Sequence, residues 1–170
     1  MVEIRTAQPE DDAAIQEVHT VAFGGPVEAK LVKLICERNK ALISFVAVND
    51  GAVVGHILFS QVTVAHSPAS FMAVGLAPVA ILPHFQRQGI GSELIRQGLE
   101  RCKRAGYSAV VLVGYPAYYS RFGFRRAADF DLQNEYGVIE EFMVLPLRVG
   151  ALDGVKGMAK YLPEFQEVGC

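Results

Sequence analysis

The sequence predicts an α/β fold of the α+β kind, a mixed central sheet of about six or seven strands flanked by helices. Three observations carry that prediction. From Leu76 to Arg104 the chain reads as a short buried strand, a glycine-containing loop and a long amphipathic helix, and a second apolar run follows at Ala109–Val113. A single helix between two strands makes them parallel, with a right-handed crossover. Upstream, Leu42–Val48 and Val53–Val64 are strand-like runs joined by Asn49-Asp50-Gly51, whose Asp-Gly step suits a hairpin, so that half of the sheet is antiparallel. Finally, 170 residues, 51% of them hydrophobic, with no linker or composition break, predict one domain over residues 1–170. Residues 148–170 are expected to form a C-terminal extension packed on its body.

In chain order, Val2–Arg5 alternates apolar and polar residues and predicts a first strand. Pro9 with Glu10, Asp11 and Asp12 opens a helix, the acids complementing its N-terminal dipole, and Ala14, Ile15, Val18 and Ala22 supply a buried face. Gly24-Gly25-Pro26 breaks it, and Val27, Leu31, Leu34 and Ile35 mark a second helix. After the hairpin, the loop Ala65–Ser70 leads to the central strand, whose pattern begins near Phe71; Gly75 and Pro78 suit a bulge in it. Val79–Leu82 lies between Pro78 and Pro83. The helix beyond it sets Ile90, Leu94, Ile95, Leu99 and Cys102 on one face, with Lys103 and Arg104 in its last turn and Gly106 as its stop. Past Gly123-Phe124 the chain is polar through Tyr136, and Val138–Leu147 predicts a closing strand.

Composition excludes several function classes. Sixteen basic against eighteen acidic residues give a net charge of -2, which supplies no field for wrapping nucleic acid. No run approaches the roughly 18 apolar residues of a membrane span. Met1-Val2-Glu3-Ile4-Arg5 enters a strand pattern directly rather than a signal peptide, so a cytoplasmic location is expected. Cys36 and Cys102 fall on the apolar faces of predicted helices and Cys170 ends the chain, so reduced thiols are expected. His19, His56, His66 and His84 form no ligand spacing, and no metal is expected. The expected partner is a small-molecule or protein substrate, bound by a monomer or homodimer.

The chemistry concentrates at Gln86-Arg87-Gln88-Gly89-Ile90-Gly91-Ser92. Two glycines let main-chain N–H groups approach a ligand closely just where a helix begins with its positive dipole end, a cradle for a pyrophosphate. A Walker A loop would need Lys-Ser or Lys-Thr after the glycines, and a dinucleotide fingerprint would need a third glycine and an opening directly after the strand. Neither is present.

The Q-x-x-G-x-G pattern after a proline-flanked strand resembles the GNAT superfamily of acyl-CoA-dependent N-acetyltransferases, with Gln86, Gly89 and Gly91 at its defining positions. Tyr118-Tyr119-Ser120-Arg121-Phe122-Gly123-Phe124 resembles its second hallmark, a tyrosine four residues before a Gly-Phe pair. The resemblance covers Leu76 to Phe124 most strongly and implies acetyl-CoA as co-substrate and an amine as acceptor. It places the pyrophosphate at Arg87, Gln88, Gly89, Ile90, Gly91 and Ser92, and the pantetheine arm along a central strand that splays from its neighbour. Backbone N–H groups around Val79, Ala80 and Ile81 would polarise the thioester carbonyl. Tyr119 matches the catalytic tyrosine: a phenol near 10 and a thiol near 8.5 are close enough for proton transfer or a stabilising hydrogen bond. Phe23 and Glu28 become acceptor contacts, against packing and solvation as their ordinary roles. Arg121, Arg125 and Arg126 could meet an adenosine phosphate or form a surface charge cluster. The chain departs from the family in one respect: Phe71–Leu76 offers no carboxylate as base. A water relayed to a backbone carbonyl or to a residue of a neighbouring element is the expected substitute; His56 and Glu28 are further candidates, against structural roles as their ordinary reading. Without a base, the alternative is a non-catalytic acyl-CoA sensor or interaction module on the same fold.

Overall fold

Alternating residues build β1 (Val2–Thr6), and Pro9–Asp11 turns as a short 3-10 helix into α1 (Asp12–Phe23). This computed structural model describes all of residues 1–170, and the chain divides into two compact units, the first made of Met1–Ser60, Ala77–Gly98 and Pro163–Cys170. Arg5 donates to both carboxylate oxygens of Asp11, at 2.7 and 3.0 Å, fixing the start of α1 against β1. Gly24, at φ 70°, ends α1 in the left-handed conformation that glycine adopts without a Cβ penalty. α2 (Val27–Glu37) leads to β2 (Ala41–Asn49), and Asp50 and Gly51, at φ 49° and 78°, turn the chain into β3 (Ala52–His66). Positive φ at both turn positions matches the right-handed twist of a hairpin. β1, β2 and β3 pair antiparallel in that order. β4 (Ala73–Ile81) lies beside β3, with Leu82 N donating to Val54 O at 2.8 Å. Residues 54–60 are buried without interruption, because this stretch of β3 is covered on both faces.

Ile15, Val18, Leu31 and Ile35 on the helices and Phe45, Ile57 and Phe59 on the strands form the core of this unit. The Phe59 ring lies against Gly98 of α3 (Ile90–Arg104), where an added Cβ would come within 2.5 Å of it. The last residues return here as α5 (Glu164–Glu167). The fully buried Glu164 carboxylate accepts from Arg38 at 2.9 Å and from Lys40 at 2.8 Å.

The second unit comprises Gln61–Leu76 and Leu99–Leu162. Ala73–Gly75 of β4 pairs in parallel with Ala109–Val111 of β5 (Ala109–Val113), and this ladder ends at Gly75. Along its other edge β5 runs antiparallel to β8 (Phe142–Pro146), which pairs with the two-residue β6 (Arg125–Arg126). The end of β3 pairs with β9 (Lys156–Lys160), itself parallel to β7 (Leu132–Asn134). A one-turn α4 (Pro116–Tyr119) follows β5.

β1–β6 and β8 make up the seven strands of the main sheet path, within the expected six or seven, and the polar stretch after Phe124 and the tail add β7 and β9 off that path. The closing strand starts at Phe142, not Val138. Asn134 is the reason: its Oδ1 accepts from Tyr136 N and Val138 N while its Nδ2 donates to Val138 O at 2.6 Å, closing residues 134–138 into a loop. Cys36 is exposed rather than on the core face of its helix; Cys102 is buried as expected. No helix is long and apolar enough to cross a membrane.

Candidate functional site

In the first unit, the end of β4 runs into a loop built to present main-chain donors. Ala80 is buried, and Ile81 lies over Gly55, where a Cβ would come within 2.6 Å of its Cδ1. Gln86 Nε2 donates to Ile81 O at 3.0 Å and Gln88 Nε2 to His84 O at 3.0 Å, so the two glutamines clamp the loop to the strand end. Between and beyond them Arg87 and Gly89 adopt φ 60° and 84°. A Cβ at Gly89 would meet nothing within 4 Å, so its backbone conformation, not crowding, calls for glycine. Glu93 N is the first main-chain donor bonded back to Gly89 O, at 3.0 Å. The N–H groups of Ile90 and Gly91, in the turn before it, have no intrahelical acceptor and carry the positive end of the helix dipole. Val79, Ala80 and Ile81 thus lead directly into Arg87–Ser92 as one strand, loop and first helical turn. That junction can hold an anion.

In the second unit, Pro116 starts α4, and Tyr119 N donates to Tyr115 O at 3.0 Å. The Tyr119 ring lies directly on Gly114, whose missing Cβ makes room for it, and packs edge-on against Tyr118 and Phe124 at centroid distances of 5.0 and 6.0 Å. Burial, with a smaller effect of Tyr118, pushes the Tyr119 phenol up to about 12. It is therefore a protonated donor throughout the neutral range. Tyr118 has a different role, with the Arg121 guanidinium 4.4 Å above its ring.

The remaining sequence candidates divide. Phe23 is 45% exposed at the end of α1, and Glu28 is half-buried in the first turn of α2. Arg125 covers the Phe130 ring, and Arg126 pairs with Asp129 and Glu140, each at 2.8 Å, so these arginines and Glu140 form a surface cluster. His56 is fully buried. It belongs to a chain of side chains that the sequence did not announce: Ser44 Oγ lies 2.8 Å from His56 Nε2, and His56 Nδ1 lies 2.8 Å from His19 Nε2. The available signal was polarity at inward positions. His56 interrupts the apolar run of β3, and His19 sits four residues beyond Ile15 on the buried face of α1. Burial lowers His19 to about 4; His56 falls well below its usual value, first through burial and then through the His19 charge.

Comparison with known proteins places this geometry among relatives. A family model described as the acetyltransferase (GNAT) domain matches residues 3–127. The chain is 37% identical over 164 residues to the uncharacterized N-acetyltransferase YhbS of Escherichia coli K12, covering 95% of this chain and 97% of that protein. The crystal structure of Escherichia coli YhbS in complex with CoA superposes with a TM-score of 0.91 at 36% identity, covering 97% of this chain and 92% of that one. A GNAT family acetyltransferase from Brucella melitensis in complex with acetyl-CoA gives a TM-score of 0.81 at 33% identity, covering 97% and 98%.

Proposed function

The chain belongs to the GNAT family of acetyltransferases, and from that membership we propose that it moves an acetyl group from acetyl-CoA to an amine by direct attack in a ternary complex. The carrying observation is the loop: left-handed Arg87 and Gly89, clamped to the β4 end by Gln86, stand immediately before the N-terminus of a 15-residue helix. Such a junction suits a pyrophosphate, and two relatives of similar structure were crystallised with CoA or acetyl-CoA. In this reading, main-chain N–H groups of Arg87–Ser92 bind the diphosphate, and those around Val79–Ile81 polarise the thioester carbonyl. The amine nitrogen attacks the carbonyl carbon, the C–N bond forms, the C–S bond breaks, and Tyr119 protonates the departing thiolate.

The test is amine-dependent thiol release from acetyl-CoA, run beside a thermal-shift titration. At about a hundred times Kd, acetyl-CoA should stabilise the fold by about 2.7 kcal/mol, a Tm rise of about 5–10 °C. Gly91→Glu brings a side chain and a negative charge to the phosphate positions and should abolish that rise while the protein stays folded. An unchanged rise in Gly91→Glu removes the pyrophosphate assignment. A rise without thiol release across the amine panel makes the chain an acyl-CoA sensor.

A further inference from the structure

An acceptor amine is an ammonium ion near neutral pH and must lose a proton before it can attack, yet Phe71–Leu76 of the central strand carries no carboxylate to take it. The structure holds a chain of groups able to do so, in the first unit beside the strand end assigned to the thioester. Leu82 N bonds to Val54 O, and Ile81 lies over Gly55, which sets Ala80 opposite His56 on the adjacent strand. On its other side His56 is registered with Val46, so Ser44 is its diagonal neighbour on the same face. Ser44 in turn lines a cavity of about 520 Å³ together with Gln8, Asp12, Gln16, Cys36 and Glu37. At the opposite end of the chain, His19 Nδ1 is buried and has no hydrogen-bond partner. No protein group competes for its lone pair, so this atom is free to accept a proton. Phe23, half-exposed at the end of α1, stacks on the His19 ring at 6.0 Å.

Resting on the acetyl-transfer reading, we propose that His19, His56 and Ser44 form a proton relay that carries the acceptor ammonium's proton from the thioester site to the Ser44 cavity. The ammonium, through bridging water, gives its proton to His19 Nδ1; His19 Nε2–H passes to His56 Nδ1; His56 Nε2–H passes to Ser44 Oγ; and the Ser44 hydroxyl proton leaves to water in the cavity. The freed lone pair attacks the thioester. The second proton lost from nitrogen balances the one that Tyr119 gives to sulfur, so amide, thiol and one released proton are the products. Burial keeps both imidazoles neutral at neutral pH, which gives each ring the one N–H and the one lone pair that such a hop requires. Besides the neutral His19, the titratable group acting on His56 is the Asp11 carboxylate, itself held by Arg5.

The test measures kcat, KM and the pH profile of amine-dependent thiol release for wild type, His19→Gln, Ser44→Ala and Ser44→Thr, with the acetyl-CoA thermal shift of each variant confirming folding and binding. His19→Gln keeps a polar amide next to His56 but cannot pass a proton, and Ser44→Ala removes the exit. Both should lose about 10²-fold or more in kcat with little change in KM for acetyl-CoA, and the deficit should shrink as pH approaches the amine's own pKa. Ser44→Thr restores a hydroxyl and should recover most of the rate. Wild-type kcat in His19→Gln and Ser44→Ala overturns the relay, as does an equal loss in Ser44→Ala and Ser44→Thr, which would assign the effect to cavity shape. Should His19→Gln fail to fold, the serine pair decides alone. Absence of amine-dependent thiol release in the wild type sinks the transfer reading itself, a different result from active variants.

Discussion

Tyr119 and Gly114 act as a pair, since the ring occupies the space that any side chain at position 114 would take. In the proposed reaction, Tyr119→Phe keeps that packing and removes only a hydroxyl that would meet the charge developing on sulfur, so kcat should fall about 10²–10⁴-fold with acetyl-CoA affinity retained. Tyr118→Phe, at a ring engaged by Arg121, should be milder. Equal small losses from both, in steady-state assays, would reduce the tyrosine pair to packing. Gly114→Ala should displace the ring, lowering kcat and costing roughly 1–3 kcal/mol in denaturant unfolding, as overpacking does. The Gly114 requirement was invisible in the sequence, because nothing in a single glycine tells which ring will lie on it. Gly89 was legible for the opposite reason: its role is a local backbone conformation at a helix start, and that is written in neighbouring residues.

Elements whose causes are local were read well, and those settled by distant partners were not. The Asp50-Gly51 hairpin, the face of α3 and the Pro9 start of the first helical segment follow from turn chemistry and periodicity. β7 and β9 exist because each pairs with the other, across more than twenty residues of chain, and β8 is short because Asn134 diverts residues 134–138 into a loop. The Glu164 site shows the same dependence on long-range contact. Arg38 and Lys40 hold its carboxyl down at about 2, chiefly through the Lys40 bond. Glu164→Gln keeps the shape but weakens charge-assisted bonds, and it should cost roughly 1–3 kcal/mol, a Tm drop of about 3–10 °C by calorimetry. An unshifted Tm would mean that Arg38 and Lys40, both partly solvated, gain nothing by the contact.

At the scale of the whole molecule, the buried titrating groups set the acid limit. The folded His19 value of about 4 lies below the ordinary imidazole value, so the unfolded chain binds more protons between about pH 6.5 and 4. Stability should therefore be level above about pH 7 and decline through that window, His19 alone accounting for roughly 3 kcal/mol. His56 acts in the same direction, and the lowered Asp11 and Glu164 carboxyls extend the loss below about pH 4. Urea midpoints at pH 7 and pH 4 should differ less in His19→Gln than in wild type, and identical differences would show that His19 does not titrate with unfolding. The first unit also has a temporal consequence, because it is assembled from three separate stretches of chain, the last being Pro163–Cys170. During synthesis at about 5–20 residues per second, Arg38 and Lys40 emerge long before the carboxylate that they bind is made. Folding of this unit on the ribosome waits until Pro163–Cys170 has been made, so a premature stop just before Glu164 leaves a long polypeptide exposed to chaperones and proteases rather than a shortened enzyme.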